Sequence, residues 1–245
     1  MTNGSFMVFR RLNQLVPEFD QYQLDQGASL GMDPVLLGAR LVGRWRSGAP
    51  LALTPSQDDT ALGADAQQNN NFDFSDDQAQ RRCPFGAHIR KTNPREDFAP
   101  TATQEHAVDP RRVIRAGIPF GQEVSPAEEA AHTTSQERGL MFVCYQTSIA
   151  GQFEFLQISW ANNPGFISDA AIPKTHPDGS PVVVGFDPII GQNEGAPRTT
   201  GEPVPNYPTG NVRSTLQEPI DFVVATGGAY FFVPSIAALE NELSA

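Results

Sequence analysis

The chain has 245 residues, with 17 Lys and Arg against 28 Asp and Glu, for a formal net charge of −11. Such an acidic chain is a poor partner for nucleic acid or for an anionic membrane surface, and no apolar run reaches the roughly 18 residues that a membrane span needs. Hydrophobic residues make up 39% and Gly and Pro 21 each, which predicts a loop-rich single domain around a modest core.

Taken in order, Ser5 to Leu12 (SFMVFRRL) predicts a strand. Its lead-in, Met1-Thr2-Asn3-Gly4-Ser5, has neither the basic start nor the long apolar core of a signal peptide, which favours a cytoplasmic location while leaving the compartment open. Pro17 to about Trp45 predicts helical pieces, broken at Gly27 or Gly31 and restarted by Asp33 as N-cap with Pro34 in the first helical position. Residues 47–80 are polar and predict a long loop, with a short extended piece at Asn71 to Phe74. Arg111 to Gly121 (RRVIRAGIPFG) predicts a strand, Leu140 to Tyr145 (LMFVCY) a buried strand, and Ile149 to Trp160 a helix. Residues 161–219 are rich in Pro, Gly and Asn and predict little regular structure. Phe222 to Val224 and Ala229 to Val233 read as two short strands of a hairpin around Gly227-Gly228, and Ser235 caps a last helix. Strands and helices in this order make an α+β pattern.

Chemistry concentrates in Arg82 to Arg95 (RCPFGAHIRKTNPR), where His88 sits among small and apolar neighbours and is followed by Arg90, Lys91 and Arg95. An imidazole is a common ligand for haem iron and arginine forks suit carboxylates, including haem propionates. A solvated basic turn beside a core histidine has the same appearance. The four histidines, His88, His106, His132 and His176, never fall three or four apart, and neither Cys83 nor Cys144 stands at a zinc spacing from them. Two cysteines do not make a disulfide framework. A Gly-rich phosphate loop and a Gly-x-Ser-x-Gly elbow are both missing. Arg115 lies in the otherwise apolar strand VIRAGIPFG, where a charge is costly unless it is paired or lines a site. It either pairs with an acidic residue or faces an open iron position, stabilising charge as a peroxide O–O bond breaks.

The blocks CPFGAHIRKTNPR, VIRAGIPFG, GLMFVCYQTSIAGQFEFLQISWANNP, GFDPIIGQ and GGAYFFVPSIAAL resemble, in that order, the dye-decolorizing peroxidases. The opening GSFMVFRRLNQLVPEF is similar to the strand and helix that begin the C-terminal half of that family. The resemblance runs over essentially the whole chain, but only to that half of the family pattern. It implies a ferredoxin-like antiparallel sheet with helices on one face, the C-terminal haem-binding domain of the dimeric α/β-barrel superfamily. Residues 1–245 would be that one domain, with the N-terminal ferredoxin-like domain absent. The resemblance also implies one haem b per chain and a peroxidase that uses hydrogen peroxide to oxidise dyes, phenolic compounds or other organic donors.

Residue by residue, the resemblance implies that His88 is the proximal iron ligand and Arg115 the catalytic distal arginine. Arg90 and Arg95 would contact propionates or brace the loop. Phe153, Phe155 and Leu156 would form apolar walls around the haem, and Asp187 would accept the other ring N–H of His88. The family's distal aspartate belongs to a Gly-x-x-Asp-Gly motif that this chain does not contain; the nearest string, Thr175-His176-Pro177-Asp178-Gly179, has the wrong first residue and lies at the wrong end. Moving a proton between peroxide oxygens calls for a positioned base, and an arginine, protonated at any working pH, is a poor one. Two expectations follow. One is a peroxidase that acts either alone or paired with a separate N-terminal domain, with a homo-oligomer as the other candidate assembly. The other is a degenerate, non-catalytic fragment that binds haem without efficient turnover.

Overall fold

The computed structural model describes residues 3–98, 108–168, 174–176, 178–203 and 215–243. In chain order the main elements are β1 (Ser5–Gln14), α1 (Val16–Leu30), α2 (Pro34–Val42), α3 (Thr60–Ala64), α4 (His88–Thr92), β2 (Ile114–Gly121), α5 (Pro126–Ala131), β3 (Arg138–Gln146), β4 (Arg198–Thr200), β5 (Leu216–Glu218), β6 (Val223–Val233) and α6 (Ile236–Asn241). The architecture is α+β, with the ferredoxin-like antiparallel sheet expected from the sequence. None of the described helices is long and apolar enough to cross a membrane.

Contacts divide the chain into two compact units. The first comprises residues 1–18, 109–156 and 222–245, and the second residues 19–108 and 157–221. In the first unit the strands run in the order β2-β3-β1-β6, so the apolar opening strand lies inside the sheet and pairs antiparallel with both β3 and β6. Directly opposed residues share a face. Arg115, Cys144, Val8 and Tyr230 therefore form one cross-strand row, and Ile114, Tyr145, Met7 and Phe231 form the next row on the opposite face. Val8 and Cys144 are the fully buried centre of the first row, whereas Ile114, Ile118, Tyr145 and Phe231 stand exposed on the second face.

Two expectations are corrected in this unit. Residues 223–233 are one strand, not a hairpin, because β1 pairs with them from Ser5 opposite Val233 to Gln14 opposite Val223, with a bulge at Arg11/Leu12. Of the two glycines that look like a turn, Gly228 serves a close approach instead: a Cβ there would lie 2.6 Å from Arg10 Nη1. That space lets the Arg10 guanidinium lie over both Phe153 and Tyr230, 4.9 and 4.8 Å from their ring centroids. Within Leu140 to Tyr145 only Cys144 is buried, so this strand is half-buried rather than a core strand. The helix expected from Ile149 to Trp160 is present: two π-helical stretches, Ile149–Phe153 and Leu156–Ala161, are joined by an α-helical step at residues 154–155.

In the second unit, local capping decides the helix positions. α1 continues through Gly27 and stops at Gly31, whose φ is +63°. Asp33 Oδ1 then accepts the N–H groups of Val35 and Leu36 at 2.8 and 3.1 Å, with Pro34 in the first turn of α2, as its sequence predicts. The buried apolar side chains of this unit form small clusters: Ala39, Trp45, Ala49 and Leu51; then Ala52, Phe74, Cys83 and Ala87; then Phe85, Ile167, Val182 and Val184. The piece expected to be extended at residues 71–74 forms no strand; it carries Phe74 into the second cluster.

Candidate functional site

The histidine segment is held from both sides. Upstream, the Asp77 carboxylate accepts the backbone N–H of Cys83 at 2.9 Å and the Gln80 side-chain oxygen accepts that of Phe85 at 3.1 Å. Cys83, Phe85 and Ala87 are buried, so the chain enters α4 along a fixed apolar path. Gly86 is part of that path: a Cβ there would lie 2.5 Å from the Val184 carbonyl oxygen, so only glycine lets the two backbones meet. His88 is the first residue of the short helix α4, and its carbonyl accepts from Thr92 Oγ1 at 2.7 Å.

His88 Nδ1 lies 2.9 Å from Asp187 Oδ2. Asp187 is 0% exposed, and its Oδ1 accepts the backbone N–H groups of Ile189 and Ile190 at 2.8 and 2.9 Å. A carboxylate filled by N–H donors on one oxygen takes the imidazole N–H on the other. We therefore assign the proton of the neutral ring to Nδ1, with a lone pair at Nε2. No described residue bonds Nε2, and the His88 side chain is 27% exposed. The donor set is that of a metal-bound histidine steadied by a carboxylate, and these residues fit a haem iron at Nε2.

Burial acts to raise the Asp187 pKa, but the adjacent His88 and the N–H groups of Ile190 and Ile189 outweigh it and hold the carboxyl below its usual 3.8. A depressed folded-state pKa contributes stability above the unfolded value that is lost as pH falls through the folded one. Thermal unfolding midpoints should therefore drop more steeply on acidification below about pH 4 in the wild type than in Asp187→Asn. Parallel curves would show that the ionised carboxylate contributes nothing to folding.

Arg90 is not available to a cofactor, which corrects one of the two readings of the basic segment. Its guanidinium is 0% exposed and every N–H has an acceptor: Asp97 takes Nε and Nη2 at 2.7 Å each, Asp77 Oδ2 takes Nη1 at 3.1 Å, and the carbonyls of Cys83 and Asp77 take the rest at 2.6 and 3.0 Å. The rings of Phe74 and Phe85 lie against it, at 4.4 and 4.2 Å from the guanidinium carbon to their centroids. Arg95 also braces the loop, bonding the Phe72 carbonyl and Asn70 Oδ1 and lying 3.9 Å from the Phe72 ring centroid.

The remaining candidates belong to the first unit. Arg115 is exposed on the edge strand β2 and makes no ion pair or side-chain hydrogen bond with the described residues. Phe153 packs on Phe142 and Tyr230, with centroids 6.2 Å apart in both cases. Phe155 lies under the Arg111 guanidinium at 3.8 Å, and Leu156 is half-buried at the start of the second π-helical stretch. Sequence reading missed Asp77 and Asp97 and gave Lys91 no role of its own. The first two are the charges that make a buried Arg90 tolerable; Lys91 is buried beside the Asp187 loop.

Residues 1–167 match the model of the family described as "Dyp-type peroxidase, C-terminal". A dye-decolorizing peroxidase from Exidia glandulosa is 51% identical over the whole of this chain and 46% of its own length. One from Auricularia auricula-judae is 48% identical over 99% of this chain and 47% of its own length. A crystal structure of a decolorizing peroxidase from Auricularia auricula-judae aligns with a TM-score of 0.83 at 47% identity, covering 99% of this chain and 54% of that one. A mutant dye-decolorizing peroxidase from Pleurotus ostreatus aligns with a TM-score of 0.84 at 46% identity, covering 98% and 51%. The chain thus spans about half the length of the curated relatives it matches. With the His88–Asp187 pair set in the matched segment and its following loop, the chain belongs to the Dyp-type peroxidase family, of which it carries the C-terminal part.

Proposed function

We propose that this chain is the haem-holding part of a peroxidase that oxidises phenolic and related organic donors with hydrogen peroxide. The observation that carries the reading is the His88–Asp187 bond, which leaves Nε2 as a lone-pair donor without a protein partner among the described residues. Haem b, bound there, would supply the iron that accepts electrons from the donor and passes them to peroxide. His88 would hold the iron. Asp187 would fix the ring and raise its basicity. Arg115, with no described counter-ion, would offer its charge to the oxygen that becomes negative as the peroxide bond breaks. The proton acceptor for that step lies outside these residues, since no Gly-x-x-Asp-Gly string occurs in the sequence. Phenolic donors are supported by a relative: a dye-decolorizing peroxidase, 44% identical to this chain, was solved in complex with 2,6-dimethoxyphenol.

Arg115→Leu should retain haem while slowing the reaction with peroxide by about 10²-fold or more, the scale for losing one charge-stabilising donor. Stopped-flow mixing with peroxide reads the rate, and the Soret band reads the haem. Loss of haem with an unchanged rate per haem would make Arg115 structural. The lack of a distal acid favours a second reading, a haem-binding chain without efficient turnover. Turnover by this chain equal to that of a full-length relative would exclude it.

A further inference from the structure

Lys91 is three residues after His88 on α4 and is 0% exposed. Its Nζ donates to three backbone carbonyls, those of Asn163, Phe166 and Gly185, at 2.8, 2.7 and 2.6 Å. An ammonium has three N–H donors and a neutral amine only two, so three short acceptor contacts select the charged form. Burial pushes the Lys91 pKa down to about 7, and the Asp187 charge draws it back up. Asp187 follows Gly185 by two residues. Lys91 therefore ties the helix that carries His88 to the loop that carries Asp187, with its charge within electrostatic reach of that carboxylate. Burying an ammonium costs several kcal/mol, and the three carbonyl acceptors and the Asp187 charge act against that cost.

We propose that Lys91 is a positioning residue for the iron ligand: it fixes the Asp187 loop against α4, and its charge limits how strongly Asp187 draws on the His88 N–H. An unopposed carboxylate would pull the proton further from Nδ1 and make Nε2 a stronger donor. A stronger donor favours ferric over ferrous iron. This inference rests on the haem reading of His88.

The test uses Lys91→Gln, which keeps two N–H donors for the carbonyls, and Lys91→Met, which keeps none, both loaded with haem. Spectroelectrochemical titration should give a ferric/ferrous midpoint more negative than wild type in both, and the iron–histidine stretch of the reduced protein should rise. In an Asp187→Asn background the same substitutions should shift neither quantity, because the route runs through the carboxylate. A folded, haem-bound variant with an unchanged midpoint overturns the proposal, and so does an equal shift in the Asp187→Asn background. If the variants do not fold, the wild-type protein decides: ¹⁵N spectra at neutral pH should show Lys91 Nζ as a protected ammonium, and a neutral amine signal overturns the proposal. Haem binding that survives loss of the His88 imidazole would end the underlying functional reading. An unchanged midpoint with His88 still ligating would end this inference alone.

Discussion

His88→Gly should bind no histidine-ligated haem, and added imidazole should restore the ferric Soret band. Glycine removes the Nε2 donor and leaves a ring-sized gap beside Asp187 Oδ2, 2.9 Å from where Nδ1 stood. Free imidazole can enter because the His88 side chain is 27% exposed, and Asp187 would take its N–H as it takes that of His88. The backbone cost is small, about 0.5–1 kcal/mol for glycine in a helix, and His88 is only the first residue of α4. A loss of haem is therefore not a loss of fold, and near-ultraviolet circular dichroism of the apoprotein can verify that. Rescue is the decisive half of the experiment, since a merely destabilised pocket would not recover with a small ligand. An undiminished Soret band in the variant before imidazole is added would place the iron elsewhere.

Arg90→Leu should destabilise the second unit by about 3–5 kcal/mol, the usual penalty for removing one partner of a buried ion pair. The leucine would leave the Asp97 and Asp77 carboxylates in the interior between Phe74 and Phe85, with the Cys83 and Asp77 carbonyls also short of donors. Among the described residues Asp97 would retain only the Gln78 amide at 3.1 Å and the more distant Lys174 Nζ at 3.7 Å for its carboxylate. Against a total stability of about 5–15 kcal/mol, such a loss is large. Urea unfolding at neutral pH reads it directly. Adding Asp97→Asn to Arg90→Leu should recover part of the loss, because the stranded charge is the main cost. A change below about 1 kcal/mol would mean that water or a mobile cation replaces the guanidinium.

These two arginine and histidine positions show what the sequence can and cannot disclose. Caps were legible because they are local: Asp33-Pro34 and Ser235 start helices by bonds to N–H groups two or three residues on. The opening strand was legible because its apolar run is uninterrupted. The Gly227-Gly228 step was misread because its role is set by Arg10 on the neighbouring strand, which no turn preference contains. Arg90 read equally as a propionate contact or a loop brace because its partners Asp97 and Asp77 stand 7 and 13 residues away, in segments without periodicity. The His88–Asp187 bond joins positions 99 residues apart, so only the likeness to the peroxidases suggested it. Lys91 gave no signal beyond its charge, since its partners are backbone carbonyls, which every sequence has.

The most direct measurement of the central claim, that His88 holds a haem with Asp187 behind it, is a haemin titration of the wild-type chain followed by resonance Raman of the reduced product. Saturation at one haem per chain, with an iron–histidine stretch that shifts to lower frequency in Asp187→Asn, is the expected result. Saturation without an iron–histidine stretch, or a stretch indifferent to Asp187, would contradict it.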